Sequence, residues 1–499
     1  MDRRAFRSVL LVSAAAFAGL SLSACAVGPD YHRPTVDTGV TFKEADGWKL
    51  ASPSDALDKG EWWAAFNDPV LNDLEKQVEV SNQNLAAAVA AYSQSKALVE
   101  QAQSSFFPQI TGTGSATRSK NSTSGFSTTT NNNTGGTTIN GTPVDTTSIN
   151  TGPQNRFTAQ LGATWDIDVW GRIRREVESA KDTAKANQAD IANAKLSAQI
   201  TLANDYVQLR EQDEAKRLLD ATITAYAKTL DVTRNKYNAG VSAQSDVLTA
   251  QTTLQTAQAE AVDVARTRAA LEHAIAVLVG KPPSKLSIQP LQTFNLQAPQ
   301  VPVGMPSDLL ERRPDVAAAE RTMAAANAQI GVNFAGYFPD LSLSGDYGQS
   351  ASTLSKLFNA ANNSWSIGAN LTQTIFDAGA TQGRVRAAEA SYRQQVALYR
   401  QTVLTALQQV EDNIAAIRVL ETEEQLRVAA SKEADQAEVI ANNQYTAGTV
   451  DYTTLVVAQA TALSARETAV QATMNRLQST INLISALGGG WKPIQDKFG

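Results

Sequence analysis

Cysteine and histidine are almost missing from this chain of 499 residues, which carries one Cys (Cys25) and two His (His32 and His273). A single thiol excludes internal disulfides and a thiolate zinc cluster, and two imidazoles are too few for a histidine-built metal site. Charge is scarce as well. Asp, Glu, Lys and Arg make up 18% of the chain, against about 25% in ordinary soluble proteins. The net charge of −6 supplies no global positive field to gather nucleic acid. No run reaches the ~20 apolar residues of a spanning helix, which excludes a polytopic helical membrane protein. Signatures of chemistry are missing too: there is no G-x-x-x-x-G-K-[ST] loop, no G-x-S-x-G elbow and no H-E-x-x-H pair. With 43% hydrophobic residues, the chain nevertheless has enough apolar material for a core.

What is present begins with an address. Arg3, Arg4 and Arg7 precede a short apolar stretch from Val9 to Leu20, followed by Leu22-Ser23-Ala24-Cys25. A positive start, a brief apolar core and small residues before a cut describe a secretory signal rather than a spanning helix. The sole cysteine stands where a bacterial lipoprotein receives its lipid and becomes the mature N-terminus. Several acyl chains together anchor a protein stably, at about 0.8 kcal/mol per buried methylene. Ala26 follows the cysteine in place of the aspartate that resembles an inner-membrane retention signal, which points to the outer membrane.

The remainder is one unit written twice. Asn235-Lys236-Tyr237-Asn238-Ala239-Gly240 matches Asn443-Gln444-Tyr445-Thr446-Ala447-Gly448 at an offset of 208, which also pairs Gly171 with Gly379 and Val279-Gly280 with Leu487-Gly488. Upstream, Phe107-Pro108-Gln109 matches Phe338-Pro339-Asp340 at an offset of 231. The first copy therefore holds about 23 additional residues, assigned to a Ser-, Thr-, Asn- and Gly-rich loop over 111–155. Repetition at a fixed spacing is the mark of a tandem duplication.

Each copy predicts two very long helices. Residues 172–239 and 384–447 contain neither Gly nor Pro, and neither do 241–279 and 449–487. Helices of this length mean coiled coil or repeat. Val403, Leu407, Val410, Ile414 and Ile417 step by 4 and 3, as do Ala250, Leu254, Ala257, Ala261 and Val264. So do Leu455, Ala458, Ala462, Ala465, Ala469 and Ala472. Alanine seams allow close axes, as in a thin-walled tube; an ordinary helical hairpin bundle gives the same steps.

Before each long helix the period changes to 2. Phe157, Ala159, Leu161, Ala163, Trp165 and Ile167 alternate with polar or small residues; so do Leu341, Leu343 and Tyr347, and Trp365, Ile367, Ala369 and Leu371. A weaker partner lies near Ile110–Thr117. Ten-residue segments with one apolar and one polar face fit a transmembrane β-barrel, and they also fit a half-buried soluble sheet. The lipid anchor tips the reading toward the membrane. Four strands cannot close a barrel, for which about eight is the minimum, and open edges are not tolerated in lipid. A membrane-spanning sheet of this kind must therefore oligomerise.

Across its whole length the chain resembles the outer-membrane efflux factors of the TolC and OprM type, in the lipid-anchored NodT-like branch that serves resistance-nodulation-division pumps. The resemblance is carried by Val27-Gly28-Pro29-Asp30-Tyr31 with Arg33-Pro34, Trp62-Trp63 with Phe66, Asp68-Pro69 and Leu71, the run from Pro306 to Val316, and the doubled Tyr-x-Ala-Gly turns. It implies an α+β membrane channel. Three chains would give a 12-stranded outer-membrane barrel continuous with a coiled-coil periplasmic tube, with an equatorial domain around it. On this basis the chain divides into a signal peptide (1–24), an anchored N-terminal segment and equatorial part (25–75), a first repeat (76–280), a Pro-rich linker (281–306), a second repeat (307–487) and a tail (488–499).

The implied function is a passive exit duct for drugs or other small toxic compounds, not an enzyme, with no cofactor beyond covalent lipid on Cys25. The implied partners are two further copies of the chain, a periplasmic adaptor, an inner-membrane pump and outer-membrane lipid, with no nucleic acid. The alternatives are a duct for protein secretion or metal-ion efflux, or a structural coiled-coil lipoprotein. Adaptor docking is expected at the helix tips marked by Tyr237, Gly240, Tyr445 and Gly448. The resemblance implies a periplasmic gate, with Asp246, Tyr445, Asp451, Thr453 and Val457 as candidates and a Tyr445–Asp246 hydrogen bond as its main tie. Trp62 and Trp63 are expected to be structural anchors, and Arg312 and Arg313 to cap or pair locally.

Overall fold

The computed structural model describes residues 26–36, 39, 41–44, 61–120, 138–139, 142–143, 153–291, 296–299, 301 and 313–489. Cys25, Arg312 and most of the Pro306–Val316 run lie outside the described residues. The chain forms two compact units, one of residues 1–29, 99–178 and 328–388, the other of 30–98, 179–327 and 389–499.

The first unit is built on an antiparallel sheet. Its strands are β1 (Gln109–Ser119), β4 (Gln154–Ile167), β5 (Asp340–Ala351) and β6 (Asn363–Thr372), in the order β1-β4-β5-β6. A separate two-stranded ladder pairs β2 (Thr138–Ile139) with β3 (Thr142–Pro143). Both borders of the expected 111–155 loop thus prove to be strand: β1 runs on to Ser119 through Thr111-Gly112-Thr113-Gly114, and β4 begins at Gln154. Pairing with β4 along the whole of β1 overrides the low strand propensity of Gly112 and Gly114.

The pairing register sorts the side chains. Leu161 stands opposite Gly112 and Tyr347, Trp165 opposite Leu343, Tyr347 opposite Trp365, Gly345 opposite Ile367, and Leu341 opposite Leu371. These positions share one face, because alternate residues of a strand point the same way. The other face carries Thr111, Gln160, Asp166, Ser342, Ser344, Asp346, Ser366 and Asn370. There, Asp346 accepts hydrogen bonds from Gln160 Nε2 at 2.8 Å and Ser366 Oγ at 3.3 Å. Leu161, Trp165, Tyr347, Trp365, Ile367 and Leu371 are exposed, so a band of large apolar side chains awaits an apolar surrounding.

In the second unit, α1 (Pro69–Ser81) starts with proline at its first position, where the missing N–H costs nothing, and is capped by Asp68, which accepts from the Val70 and Leu71 amides. α2 (Gln83–Ser104) follows after Asn82, whose side chain caps it through Asn84 and Leu85. The long elements are α3 (Arg172–Asn238), α4 (Gln244–Leu278), α6 (Ala380–Ala447) and α7 (Tyr452–Ala486), of 67, 35, 68 and 35 residues, with the shorter α5 (Pro314–Phe334) opening the second copy; one end each of α3, α5 and α6 belongs to the first unit. At 1.5 Å per residue the two longest reach about 100 Å. Among the described residues no helix is long and apolar enough to cross a membrane. The expected seams are the buried ones: Val403, Val410 and Ile414 on α6, Ala250, Ala257 and Ala261 on α4, and Leu455, Ala462, Ala469 and Ala472 on α7.

Trp62 and Trp63 enter a core with Phe66, Leu71, Leu74, Val78, Leu202, Tyr206, Ile275, Met474 and Ile481. Beside it, Asp213 accepts from Arg210 at 2.8 Å, Arg268 at 2.6 Å and the Leu291 amide at 3.2 Å, while Arg210 and Arg268 donate to the carbonyls of Gln289 and Ile288. These charges clamp the segment after α4 onto α3 and α4. Arg313 pairs with Asp315 at 2.7 Å and donates to Gln409 and the Ala486 carbonyl, so it ties α5 to α6 and α7.

One side chain of α1 breaks the pattern. Glu75 is fully buried, and neither carboxylate oxygen has a hydrogen-bond partner among the described residues. Burial, reinforced by Glu79, pushes its carboxyl up to about 9. Glu79 cannot help it, since it is taken by Lys195 at 2.6 Å and Gln199 at 3.0 Å. Because the unfolded carboxyl titrates near 4.5, the unfolded chain gives up a proton that the folded core keeps between that pH and about 9. Stability therefore falls as pH rises through this window. Thermal melts should show a higher midpoint at pH 5 than at pH 8.5, and Glu75→Gln should remove most of that slope; an unchanged slope would place the titration elsewhere.

The two faces of the sheet give a second test. Arg at Leu161 or Ile367 should cost about 2–4 kcal/mol in a membrane-inserted sheet, whereas Arg at Gln160 or Asn370 should be tolerated. Refolding titrations into lipid vesicles measure the difference, and equal tolerance on both faces would remove the membrane assignment.

Candidate functional site: the paired helix tips and the N-terminal seat

The tips form where two helical hairpins turn. Gly240 and Gly448 adopt left-handed φ values of 78° and 77°, conformations that a side chain resists. The Gly240 amide bonds the Tyr237 carbonyl and the Val241 amide bonds that of Lys236; Gly448 and Thr449 repeat this with Tyr445 and Gln444. Both helices thus end in the same glycine cap. The neighbourhood of both glycines is open, with nothing within 4 Å of an added Cβ, so backbone conformation alone calls for glycine.

The copies then diverge. Asp451 precedes α7 and caps it, accepting from the Thr454 amide at 2.9 Å and the Thr454 hydroxyl at 2.7 Å, which holds its carboxyl below the usual range. The repeat counterpart of Asp451 is Ala243, and that of Thr454 is Asp246. In the first copy Asp246 reaches back to the Ala243 amide at 3.3 Å and accepts from Ser242 Oγ at 2.7 Å. Between the copies the carboxylate has moved by one turn, from the cap position, where it accepts a helix amide, to the third helical position, where it accepts the amide of the cap residue.

That arrangement corrects one expectation. Within the chain Tyr445 and Asp246 make no hydrogen bond, because Asp246 is occupied in capping its own helix. The Tyr445 hydroxyl instead meets Thr233 Oγ1 on α3 at 2.9 Å. Lys236 Nζ sits 3.9 Å from the centre of the Tyr445 ring and also donates to the Tyr445 carbonyl. Tyr452 packs edge-on against Tyr445 at 5.5 Å, and burial pushes the Tyr452 hydroxyl up to about 12. One seam turn further, Gln459 on α7 donates to Thr229 on α3 at 3.2 Å. Leu230, Ala250, Ala441, Tyr452 and Leu455 enclose Tyr445, which is 4% exposed. Its repeat partner Tyr237 is 41% exposed, and Thr453 and Val457 also face outward. The structure thus brings Tyr445 into a lock joining the two hairpins, with Thr229, Thr233, Lys236 and Gln459. The sequence carried no distinct signal for these ties, because α3 buries other polar residues as well, among them Gln199, Arg210, Asp213 and Thr222.

A second built feature lies at the start of the described chain, in the first unit. The Val27 amide donates to the Trp170 carbonyl at 2.9 Å, and Arg175 donates to the carbonyls of Val27 and Gly28. An added Cβ at Gly171 would come within 2.6 Å of the Ala26 Cα, and one at Gly331 within 2.9 Å of the Val27 oxygen. Both glycines make room for the residues that directly follow Cys25. Aromatic rings gather close by: Trp170 stacks on Phe338 at 4.8 Å, and Phe334 contacts Phe338 and Tyr337. Amphipathic and aromatic side chains of this kind mark membrane–water boundaries.

A family model described as outer membrane efflux protein matches residues 74–281 and 305–489. The chain belongs to the outer membrane efflux protein family. It is similar to the pyoverdine export outer membrane protein OpmQ of Pseudomonas aeruginosa, with 30% identity over 478 residues and 95% of each chain covered. It also matches the probable efflux pump outer membrane protein TtgC of Pseudomonas putida, with 27% identity over 494 residues, 97% of this chain and 96% of that one. Among solved structures, the outer-membrane channel OprN superposes with a TM-score of 0.82 at 29% identity, covering 94% of this chain and 100% of that one. The protein is an outer-membrane efflux component with the TolC-type channel fold.

The lock predicts a local effect. Tyr445→Phe leaves a buried hydroxyl at Thr233 with one partner fewer and should weaken the tip by about 1 kcal/mol, roughly a fivefold change in opening. Amide exchange over 441–452 should speed up accordingly, while Asp246→Asn should act only on the first turn of α4. Equal exchange in wild type and Tyr445→Phe would remove Tyr445 from the lock.

Proposed function

We propose that three copies of this chain close a 12-stranded barrel and act as the passive exit duct of a tripartite efflux system. The observation that carries this reading is the sheet itself: among the described residues, β1 pairs only with β4 and β6 only with β5. Two strand edges are left to be satisfied, and membranes admit no open edges. Head-to-tail association of identical chains closes into a ring and satisfies both. The face carrying Asp166, Asp346, Gln160 and Asn370 then lines the water-filled interior, and the face carrying Leu161, Trp165, Trp365 and Ile367 meets lipid.

The turns at Tyr237–Gly240 and Tyr445–Gly448 dock onto a periplasmic adaptor, and an inner-membrane pump of the resistance-nodulation-division type energises export. Tyr445 with Thr233 and Lys236 holds the resting tip, while Asp246 and Asp451 serve it as helix caps and Thr453 and Val457 face outward from the lock. Lipid on Cys25 fixes the N-terminus at the membrane surface, with Ala26–Gly28 seated against Gly171 and Gly331. Small organic compounds are the cargo class that agrees with relatives named for pump efflux and pyoverdine export. The chain performs no chemistry of its own.

Purified full-length protein in planar bilayers should conduct as a three-chain species, and Cys25→Ser should abolish incorporation of labelled palmitate while the trimer still conducts. Absence of conductance from an intact trimer would contradict the duct. Palmitate that never enters the wild-type protein would contradict the anchor.

A further inference from the structure

The two strand-to-helix elbows of the first unit are built alike and finished differently. After β4, Asp168 accepts from the Ile173 and Arg174 amides, Gly171 takes a φ of 83°, and Trp170 is stacked on Phe338 with Ala26 against the glycine. After β6, Asp377 accepts from the Gly379 and Thr381 amides and Gly379 takes a φ of 88°. Here nothing lies within 4 Å of an added Cβ at Gly379. Ile375 and Phe376 are 89% and 86% exposed, two bulky apolar side chains side by side on an otherwise ordered turn. At the opposite edge of the sheet, Phe107 is 71% exposed just before β1.

The topology determines where these residues meet. Successive neighbours in the order β1-β4-β5-β6 are antiparallel, so the C-terminal end of β6 and the N-terminal end of β1 lie at the same end of the sheet. When one copy follows another head to tail, β6 of one chain lies beside β1 of the next. The exposed elbow after β6 is then carried against the residues that lead into β1. We infer that Ile375 and Phe376 form an apolar clasp with Phe107 of the partner subunit, sealing the base of the barrel at each junction between copies. The inference rests on the trimeric reading above and adds to it the residues that hold the copies together outside the strand ladder. Aromatic side chains bury 150–250 Å² each in such contacts and prefer edge-to-face or offset pairing, which suits an interface between rigid strand ends. In the first copy Trp170 and Ala26 cover the equivalent elbow from within the chain, so only the second needs an external occupant.

The test uses the full-length protein with Cys25 in place. Phe107→Cys combined with Phe376→Cys, treated with a short thiol crosslinker in native membranes, should give covalent dimers and trimers on denaturing gels, and neither single variant should give a trimer. In parallel, the emission that a Phe376→Trp variant adds over wild type, whose own Trp165 and Trp365 face lipid, should stay unquenched in brominated-lipid vesicles, since the clasp hides the new ring from lipid. A species of three copies that does not crosslink and whose variant fluorescence is quenched would overturn the clasp, with lipid as the occupant, and leave the trimer standing. A monomeric species that conducts would instead overturn the trimeric reading and the clasp with it.

Discussion

Unmade backbone hydrogen bonds along the outer edges of β1 and β6 govern the rest of this molecule. An unpaired strand edge is a template for another strand, and in lipid each unmet N–H and C=O costs several kcal/mol. A four-stranded sheet with one face of Leu161, Trp165, Trp365 and Ile367 satisfies its side chains by entering the membrane. By doing so it makes its own edges intolerable. On the proposed trimeric reading, further copies of the chain satisfy those edges.

Duplication supplies the other half of the design. Each copy contributes two strands to the four-stranded sheet and two long helices, and each hairpin ends in the same glycine cap at Gly240 or Gly448. Identity stops where function needs a difference. Tyr445 is drawn into the seam by Thr233 and Lys236, while Tyr237 stays at the surface. The capping carboxylate sits at Asp246 in one copy and at Asp451 in the other. The two hairpin ends thus share a turn and differ in their ties, with Tyr445 held in the seam and Tyr237 exposed.

The periodic features were legible in the sequence because period follows from burial. The seam at Val403, Val410 and Ile414, the alternation through Leu161 and Ile367, and the breaker-free stretches from 172 and 384 each repeat one rule over many residues, and the structure places them accordingly. Strand edges were less legible: Thr111–Gly114 reads as loop by composition yet lies in β1, since pairing with β4 overrides propensity. The tip was legible in its turns and not in its ties. Asp246 looked free to meet Tyr445 because a sequence does not show which donors the Ala243 turn has already offered it. Thr233 and Lys236 gave no sign because a buried polar contact between two helices leaves no periodic trace. Glu75 differs in kind: it stands four residues after Leu71 and three before Val78, on the apolar face of α1, but its charge gave no sign that it lies buried without a partner.

Closure by neighbouring copies makes one direct physical claim: the outward-pointing amides of β1 and β6 are hydrogen-bonded in the membrane although, among the described residues, no strand of the same chain reaches them. Amide exchange of the full-length protein in native outer membranes reads this strand by strand. The account predicts that the outward-pointing amides of β1 and β6 are protected as strongly as those of β4, which is paired on both sides. Rapid exchange along those two edges, with β4 and β5 protected, would show a sheet that ends where the chain ends and would contradict it.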